Sequence, residues 1–158
     1  MSKIWPKISR ILLFITCHSF HLAYAASLKT NEFATLKFTQ VNARTGPSKD
    51  CPIVWEYLTK GEPVFLEQYF EGWFKIKDVT GEGGWVHRSL LSANRSIVIT
   101  STKKQPLYRS DNTSSKIIAY LAPQLRCTLL KDSPGWCKVR CYNYKGWIGK
   151  SHIWGVAN

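Results

Sequence analysis

The side chains best suited to recognising another molecule are aromatic, and several stand beside glycine. Gly-Trp pairs occur at 72–73, 84–85, 135–136 and 146–147. An indole offers a flat apolar face with one polar N–H, which suits sugar rings and extended peptides. A tryptophan beside a tight turn also serves as a packing wedge, so a binding role and a packing role are both open for these four.

The first half of the chain supplies a candidate ligand-binding set. An arginine in it can hold a carboxylate through two parallel hydrogen bonds. The alternative for that arginine is an ion pair within the domain or a bond that fixes a loop to backbone carbonyls. The set is Arg44, Trp55, Tyr57, Tyr69, Trp73 and Trp85.

Positive charge is concentrated in the second half. Residues 27–95 hold nine basic and eight acidic side chains, whereas residues 96–158 hold ten basic and two acidic ones. Such an excess favours anionic partners, although a solvated basic surface is the plain alternative. The candidate anion-binding patch is Lys138, Arg140, Lys145 and Lys150.

Cysteine spacing favours structural roles. Beyond the first 25 residues the chain has Cys51, Cys127, Cys137 and Cys141. These four allow three complete pairings, and sequence does not choose among them. Because three of them are close together, a bridge within the second half is favoured. The spacing of Cys137 and Cys141 is not that of a Cys-x-x-Cys redox motif.

A catalytic constellation is not assembled by the sequence. Cys51 and His87 could imitate a thiol nucleophile and its base, but their spacing does not support the pair. No phosphate-binding glycine loop and no Cys/His metal motif occurs. We therefore expect a protein that is not an enzyme and that uses no cofactor or metal.

The first 25 residues have the pattern of a secretory signal peptide. A basic start is followed by an apolar run at 11–17 and by Ala23-Tyr24-Ala25, a small-x-small cleavage site. The run is shorter than the roughly 20 apolar residues of a transmembrane helix. The pattern predicts export to the periplasm or cell envelope; an uncleaved amphipathic anchor and a lipoprotein modified at Cys17 are the alternatives.

The elements that must carry these side chains are short strands in two repeats. The Gly-Trp pairs recur at a spacing of about 62 to 63 residues, counted directly between matching positions. Segments 63–69 and 73–79 alternate around a turn, as hairpin strands do. No apolar period typical of a helix is sustained. We predict an all-β protein of two tandem small barrels, at 33–99 and 100–158, with Ile97–Ile99 as the last strand of the first.

These residues resemble the bacterial SH3-like (SH3b) domains. The resemblance is carried by the segment Asn42-Ala43-Arg44-Thr45-Gly46-Pro47-Ser48, by Gly72-Trp73-Phe74-Lys75-Ile76 and by Gly84-Trp85-Val86. The second repeat keeps the Gly-Trp pieces but replaces the early signature. The resemblance implies an SH3-like barrel in an envelope setting, with binding of cell wall or peptide, and it implies no reaction.

Two functions remain open at this point. The first is an exported binding module for peptidoglycan or an envelope peptide, with recognition in the first barrel and basic charge in the second. The alternative is a structural or adaptor protein whose basic second barrel docks to another protein or to anionic lipid head groups. Export argues against nucleic acid as a partner.

Overall fold

The computed structural model describes residues 27–157. The predicted signal peptide, residues 1–25, lies outside the described residues. Within residues 27–157, no helix is long and apolar enough to cross a membrane. In the same part of the chain, helical backbone is confined to two 3₁₀ turns, Arg88–Leu90 and Lys150–His152.

The first seven strands form one antiparallel sheet, which we call barrel 1. Its strands are ordered β3-β2-β6-β5-β4-β1-β7, so β3 and β7 lie at its edges. The strands are β1 (Glu32–Leu36), β2 (Val41–Arg44), β3 (Ile53–Tyr57), β4 (Pro63–Phe70), β5 (Trp73–Lys77), β6 (Gly83–His87) and β7 (Leu91–Ser92).

The next seven strands form a second sheet, barrel 2, with the same order, β10-β9-β13-β12-β11-β8-β14. The predictions of an all-β chain and of a tandem repeat are therefore confirmed. The strands are β8 (Ser96–Ile99), β9 (Gln105–Tyr108), β10 (Ile117–Leu121), β11 (Arg126–Ser133), β12 (Trp136–Cys141), β13 (Tyr144–Gly149) and β14 (Ile153–Trp154).

One boundary differs from the prediction. Ile97–Ile99 does not close barrel 1, because β8 pairs with β11 and β14 of the second sheet. The strand is the counterpart of β1, and it opens barrel 2. A short apolar strand between two repeats fits either one by sequence, and only the distant pairing decides where it belongs.

Strand alternation places the charged side chains of β5 outside. Phe74 and Ile76 are buried in the core, while Lys75 and Lys77 point to the other face, as predicted. The corresponding strand of barrel 2 repeats this pattern, with Lys138 on the outer face. The outer faces of β2, β5 and β6, and of their counterparts, therefore carry the polar and aromatic groups available to a ligand.

The repeated glycines allow two strands to approach closely. A Cβ on Gly84 would lie 2.6 Å from the backbone oxygen of Arg44, and one on Gly146 would lie 2.6 Å from that of Tyr108. Arg44 pairs with Trp85, and Tyr108 pairs with Trp147. The counterpart of Arg44 is therefore Tyr108 and not Arg109, which corrects the sequence alignment by one residue.

The two barrels share a packed interface. Phe33 of barrel 1 contacts the Trp154 ring at a centroid distance of 5.0 Å. The hydroxyls of Thr35 and Ser96 form a buried hydrogen bond of 2.9 Å. Arg126 donates to Glu62 through Nε at 2.8 Å, and its Nη2 lies 2.7 Å from the same carboxylate oxygen. Direct contacts of three kinds therefore join the repeats.

The cores are fastened differently. In barrel 1, Asp78 is buried, and its Oδ1 accepts hydrogen bonds from Thr80 N, Thr80 Oγ1 and Glu82 N at 2.8, 2.7 and 3.2 Å. In barrel 2 a disulfide joins Cys127 to Cys141. Register places Cys141 where barrel 1 has Asp78. A polar turn anchor in one repeat is thus replaced by a covalent link in the other.

Candidate functional site

The predicted ligand-binding set does not form one cluster. Trp85 and Tyr69 line one surface of barrel 1, Arg44 and Trp73 line another, and Trp55 stands on the edge strand β3. Tyr57 is 6% exposed and belongs to the core. Its selection as a binding residue is wrong, because β3 turns this side chain inward opposite Val41.

Burial gives Tyr57 a structural role. Its hydroxyl donates to the backbone oxygen of Glu82 at 3.2 Å. Burial raises the pKa of the Tyr57 phenol, and the nearby Asp78 carboxylate adds to the shift. The phenol stays neutral and holds the β5–β6 turn in place.

Arg44 fixes the loop that follows β2. Its Nη1 donates to the backbone oxygen of Cys51 at 2.7 Å. This is the loop-fixing bond that the sequence left open as the alternative to ligand binding. Because a guanidinium has five N–H donors, this one bond leaves other N–H groups of Arg44 for a ligand.

An aromatic groove lies on the outer face of barrel 1. It has a volume of about 530 Å³. Tyr69 and Phe70, at the end of β4, are each 51% exposed. Two large apolar rings left in water are notable on a unit this small, since such patches often mark contact surfaces. The groove is lined by Pro47, Gln68, Tyr69, Phe70 and Trp85.

The edge strand β3 presents a further apolar surface. Ile53, Val54 and Trp55 are 52%, 53% and 39% exposed. Trp55 lies opposite Ala43 in the register, and its ring makes an edge contact with Tyr57 at 6.4 Å. Trp55 is thus accessible, but it stands apart from the aromatic groove.

A second concavity, which we call the polar cleft, lies beside the groove. It has a volume of about 650 Å³, and its base is formed by Asn42, Arg44, Trp73 and His87 with Lys49 from the β2–β3 loop. Trp73 pairs with His87 across β5 and β6, and their rings meet edge to face at 5.3 Å. The cleft therefore combines an aromatic wall with polar and cationic groups.

Polar contacts fix one wall of the cleft and leave an acceptor unmatched. His87 Nδ1 lies 2.8 Å from Ser89 Oγ, which orients the imidazole. The Oδ1 atom of Asn42 is buried and has no hydrogen-bond partner in the described part of the chain. A buried acceptor left unpaired costs about 1–3 kcal/mol. A donor from a ligand would recover that cost.

Barrel 2 has lost this cleft. By register, Pro106 replaces Asn42, Tyr108 replaces Arg44 and Gly149 replaces His87. The Tyr108 ring packs edge-on against Trp136 at 5.6 Å. The indole that forms a wall in barrel 1 is thus covered by a tyrosine in barrel 2.

Barrel 2 instead carries a basic outer face. The Nζ atoms of Lys131 and Lys138 each lie 5.8 Å from the Trp147 ring centroid. Arg140 and Lys145 are exposed and stand opposite one another in the register. Three members of the predicted anion-binding patch, Lys138, Arg140 and Lys145, therefore share one face, with Lys131 added.

Lys150 does not belong to this face. Its Nζ lies 2.8 Å from Asp132 Oδ1 and donates to the backbone oxygen of Ala157 at 3.0 Å. Arg95 binds the other oxygen of the same carboxylate at 3.3 Å. Lys150 was assigned to the patch wrongly, because its charge is already neutralised inside the barrel.

The remaining thiols are structural in setting. Cys51 is half-buried in the β2–β3 loop against Gly46, and Cys137 is fully buried in the core of barrel 2. Burial and the Asp132 carboxylate raise the pKa of the Cys137 thiol to about 11. Among residues 27–157, no group of three metal-ligating side chains comes together.

Sequence reasoning missed Asn42, Lys49 and His87 as members of a site. Asn42 was noted within a repeat signature and His87 as a lone histidine, whereas the sheet places both beside Trp73. Their separation along the chain hides the cluster. The alternation of β2 could have revealed it, since Val41 and Ala43 are inward and Asn42 and Arg44 must therefore face outward.

Comparisons with known proteins agree with the repeat. The family model described as "Bacterial SH3 domain" matches residues 37–93 and again residues 101–155. No curated protein matches the chain.

Solved structures resemble the chain at low identity. One is NlpC2 from Trichomonas vaginalis, at 16% identity and a TM-score of 0.37, covering 82% of this chain and 50% of that one. Another is an NlpC/P60 family protein from Bacillus cereus, at 14% identity and a TM-score of 0.34, covering 78% of this chain and 57% of that one. The chain thus spans about half the length of these proteins.

The family match covers most of the described chain in two copies, which coincide with the two sheets. The chain therefore belongs to the bacterial SH3 domain family, of which it contains two tandem copies.

Proposed function

We propose that this protein is a non-catalytic, exported binding module of the cell envelope that recognises peptidoglycan or an envelope peptide through barrel 1. Bacterial SH3 domains are often cell-wall binding modules. The observation that carries the proposal is the aromatic groove, where Tyr69 and Phe70 stand half-exposed beside Trp85.

The chemistry of the groove suits such a ligand. Aromatic faces stack on sugar rings and on extended peptide backbone, and Tyr adds a polar hydroxyl. Because the groove is lined by Gln68 and aromatic rings without an ionised group, recognition there should depend little on salt. Binding of a bulk anion through charge alone would behave in the opposite way.

The test is sedimentation of the purified protein with isolated peptidoglycan at low and at moderate salt. Tyr69→Asp/Phe70→Ser gives the groove the residues that barrel 2 has at these positions, Asp132 and Ser133. A matched control, Tyr120→Asp/Tyr142→Asn, removes two exposed aromatic side chains from barrel 2. We expect the first variant alone to lose binding at moderate salt. Equal binding by both variants would refute the proposal.

A second candidate function rests on the basic face of barrel 2. Lys131 and Lys138 flank Trp147, with Arg140 and Lys145 alongside. An apolar ring set among cations suits docking to an acidic protein or to anionic lipid head groups. Flotation with phosphatidylglycerol-containing vesicles should detect this contact, and binding that is equal on neutral vesicles would exclude it.

Export is a proposal of its own. It rests on the amino-terminal pattern and on an envelope setting, which is frequent among bacterial SH3 domains. Amino-terminal sequencing of the protein from fractionated cells should give a chain that starts at Ala26 in the envelope or periplasmic fraction. A full-length chain found in the cytoplasm would contradict export.

A further inference from the structure

The polar cleft has the composition of a site for a small charged ligand. Arg44 and Lys49 contribute positive charge, and none of the residues that line the cleft is acidic. Glu56 is the nearest carboxylate by register, opposite Asn42. It accepts a hydrogen bond from Gln40 Nε2 at 2.6 Å and does not line the cleft. The cleft therefore favours an anion.

The neutral groups of the cleft restrict which anion fits. The unpartnered oxygen of Asn42 calls for a donor, and a bare inorganic anion has none to give. The Trp73 indole provides an apolar wall, which a small aliphatic group covers. A ligand that meets all three demands carries a carboxylate, an adjacent N–H and a short apolar side chain.

We propose that the polar cleft binds the carboxylate end of a short peptide, with the terminal carboxylate at Arg44 and Lys49 and the last amide N–H donating to Asn42. The inference rests on the proposed function, since a wall stem peptide is the source of such an end in the envelope. The terminal side chain lies against Trp73.

Barrel 2 supports this assignment by contrast. Each of the three polar groups has been replaced there, by Pro106, Tyr108 and Gly149, and the tryptophan is covered. Barrel 2 keeps the fold without any of them. The polar groups of barrel 1 are therefore not required by the strand pairing, which points to a ligand as the reason for them.

The probes are acetyl-D-alanyl-D-alanine and acetyl-L-alanyl-L-alanine, each as the free acid and as the carboxy-terminal amide. Titration is followed by NMR of the full chain, at the indole N–H signals of Trp73 and, as an internal control, of Trp136. We expect the D-acid to shift the Trp73 signal and to bind about tenfold more tightly than its amide, because the charge-assisted hydrogen bonds are lost in the amide.

Two variants test the assigned contacts. Asn42→Leu removes the acceptor at nearly constant size and should weaken binding of the D-acid about tenfold. Lys49→Gln, at an exposed loop position, should weaken it about threefold. The matched controls are Asn112→Leu and Lys116→Gln, in the β9–β10 loop of barrel 2, and they should leave affinity unchanged.

The outcomes separate this inference from the proposed function. Equal binding of acids and amides, or shifts at Trp136 as large as at Trp73, would overturn the carboxylate site even if the protein still sediments with peptidoglycan. Preference for the L-acid would overturn the stem peptide as the source and, with it, the wall-binding role. Preference for the D-acid lost in Asn42→Leu supports both.

Discussion

Barrel 1 and barrel 2 have the same strand order but have been specialised in opposite ways. The outer face of barrel 1 keeps an aromatic groove and a polar cleft, and its net charge is close to neutral. In barrel 2 the cleft is closed by Tyr108, and lysines surround Trp147. The shared fold depends on inward residues and close-approach glycines, so the outer face is free to diverge.

Their cores diverge in a related way. Barrel 1 holds its β5–β6 turn with Asp78 and Tyr57, whereas barrel 2 has Cys141 and Leu121 at those positions. The disulfide to Cys127 joins the beginning of β11 to the end of β12. Each barrel therefore depends on a different fastening, and each can be broken separately.

Loss of the disulfide should have the largest effect on stability. The bridge closes a loop with a sequence separation of 14 residues. Cys127→Ala/Cys141→Ala should lower the free energy of unfolding by about 3 kcal/mol, because the unfolded chain regains the entropy of that loop. Urea unfolding followed by tryptophan fluorescence measures the change. Cys51→Ser, in a loop of barrel 1, is the control, and an equal loss there would contradict the account.

The interface ion pair should come next. Arg126→Ala leaves Glu62, which is only 4% exposed, without its partner. We expect a loss of about 2 kcal/mol, less than for a fully buried pair because Arg126 is partly in water. Arg109→Ala, an exposed arginine of barrel 2, should change stability by less than about 0.5 kcal/mol. Similar losses in both variants would show that the interface pair is not important.

The same pair predicts a pH dependence. Burial raises the pKa of Glu62 above its usual value of 4.5, although Arg126 opposes the shift. A carboxyl with a raised pKa in the folded state favours the neutral form, so its contribution to stability falls as pH rises through that pKa. Arg126→Ala removes the opposing charge, and its stability should fall more steeply above pH 4.5 than that of the parent protein. A parallel pH profile would count against this reading of Glu62.

The turn anchor of barrel 1 should have a smaller effect. Asp78→Ala removes an acceptor of three hydrogen bonds, and it leaves the Thr80 and Glu82 donors to water. We expect a loss of about 1.5 kcal/mol in thermal or urea unfolding. Asp111→Ala, in an exposed loop of barrel 2, is the matched control. A loss that appears only in the control would reverse the comparison.

The smallest predicted effect concerns the basic face. Lys138→Gln should weaken binding to anionic vesicles about fivefold, since one lysine near an anionic surface contributes about 1 kcal/mol. Lys75→Gln, at the corresponding position of barrel 1, should have little effect. Flotation at low salt measures both, and equal weakening would mean that net charge, and not this face, attracts the protein.

Much of the fold could be predicted from local pattern. The Gly-Trp pairs marked the repeat because glycine is required where β6 and β13 pass close to a neighbouring strand. The alternation of β5 and β12 gave the inward and outward faces. The assignment of Ile97–Ile99 failed because three apolar residues fit either sheet, and the choice depends on pairing with a distant strand, β11.

The candidate site was less accessible to sequence reasoning. Tyr57 and Trp55 are both aromatic residues of β3 and share a face, yet the first is buried and the second lies where the core ends. The polar cleft joins Asn42 and His87 across a register that no local motif specifies. Lys150 looked like its exposed neighbour Lys145, and only the folded position of Asp132 distinguishes them.

The most direct test of the division of roles is a reciprocal one, sedimentation with isolated peptidoglycan at low and moderate salt for two variants. Tyr69→Asp/Phe70→Ser gives barrel 1 the barrel 2 residues, and Lys138→Gln/Arg140→Gln removes charge from barrel 2. The account predicts that at moderate salt the first variant no longer sediments, while the second sediments like the parent protein. Loss of binding in the second variant with retention in the first would contradict recognition by barrel 1.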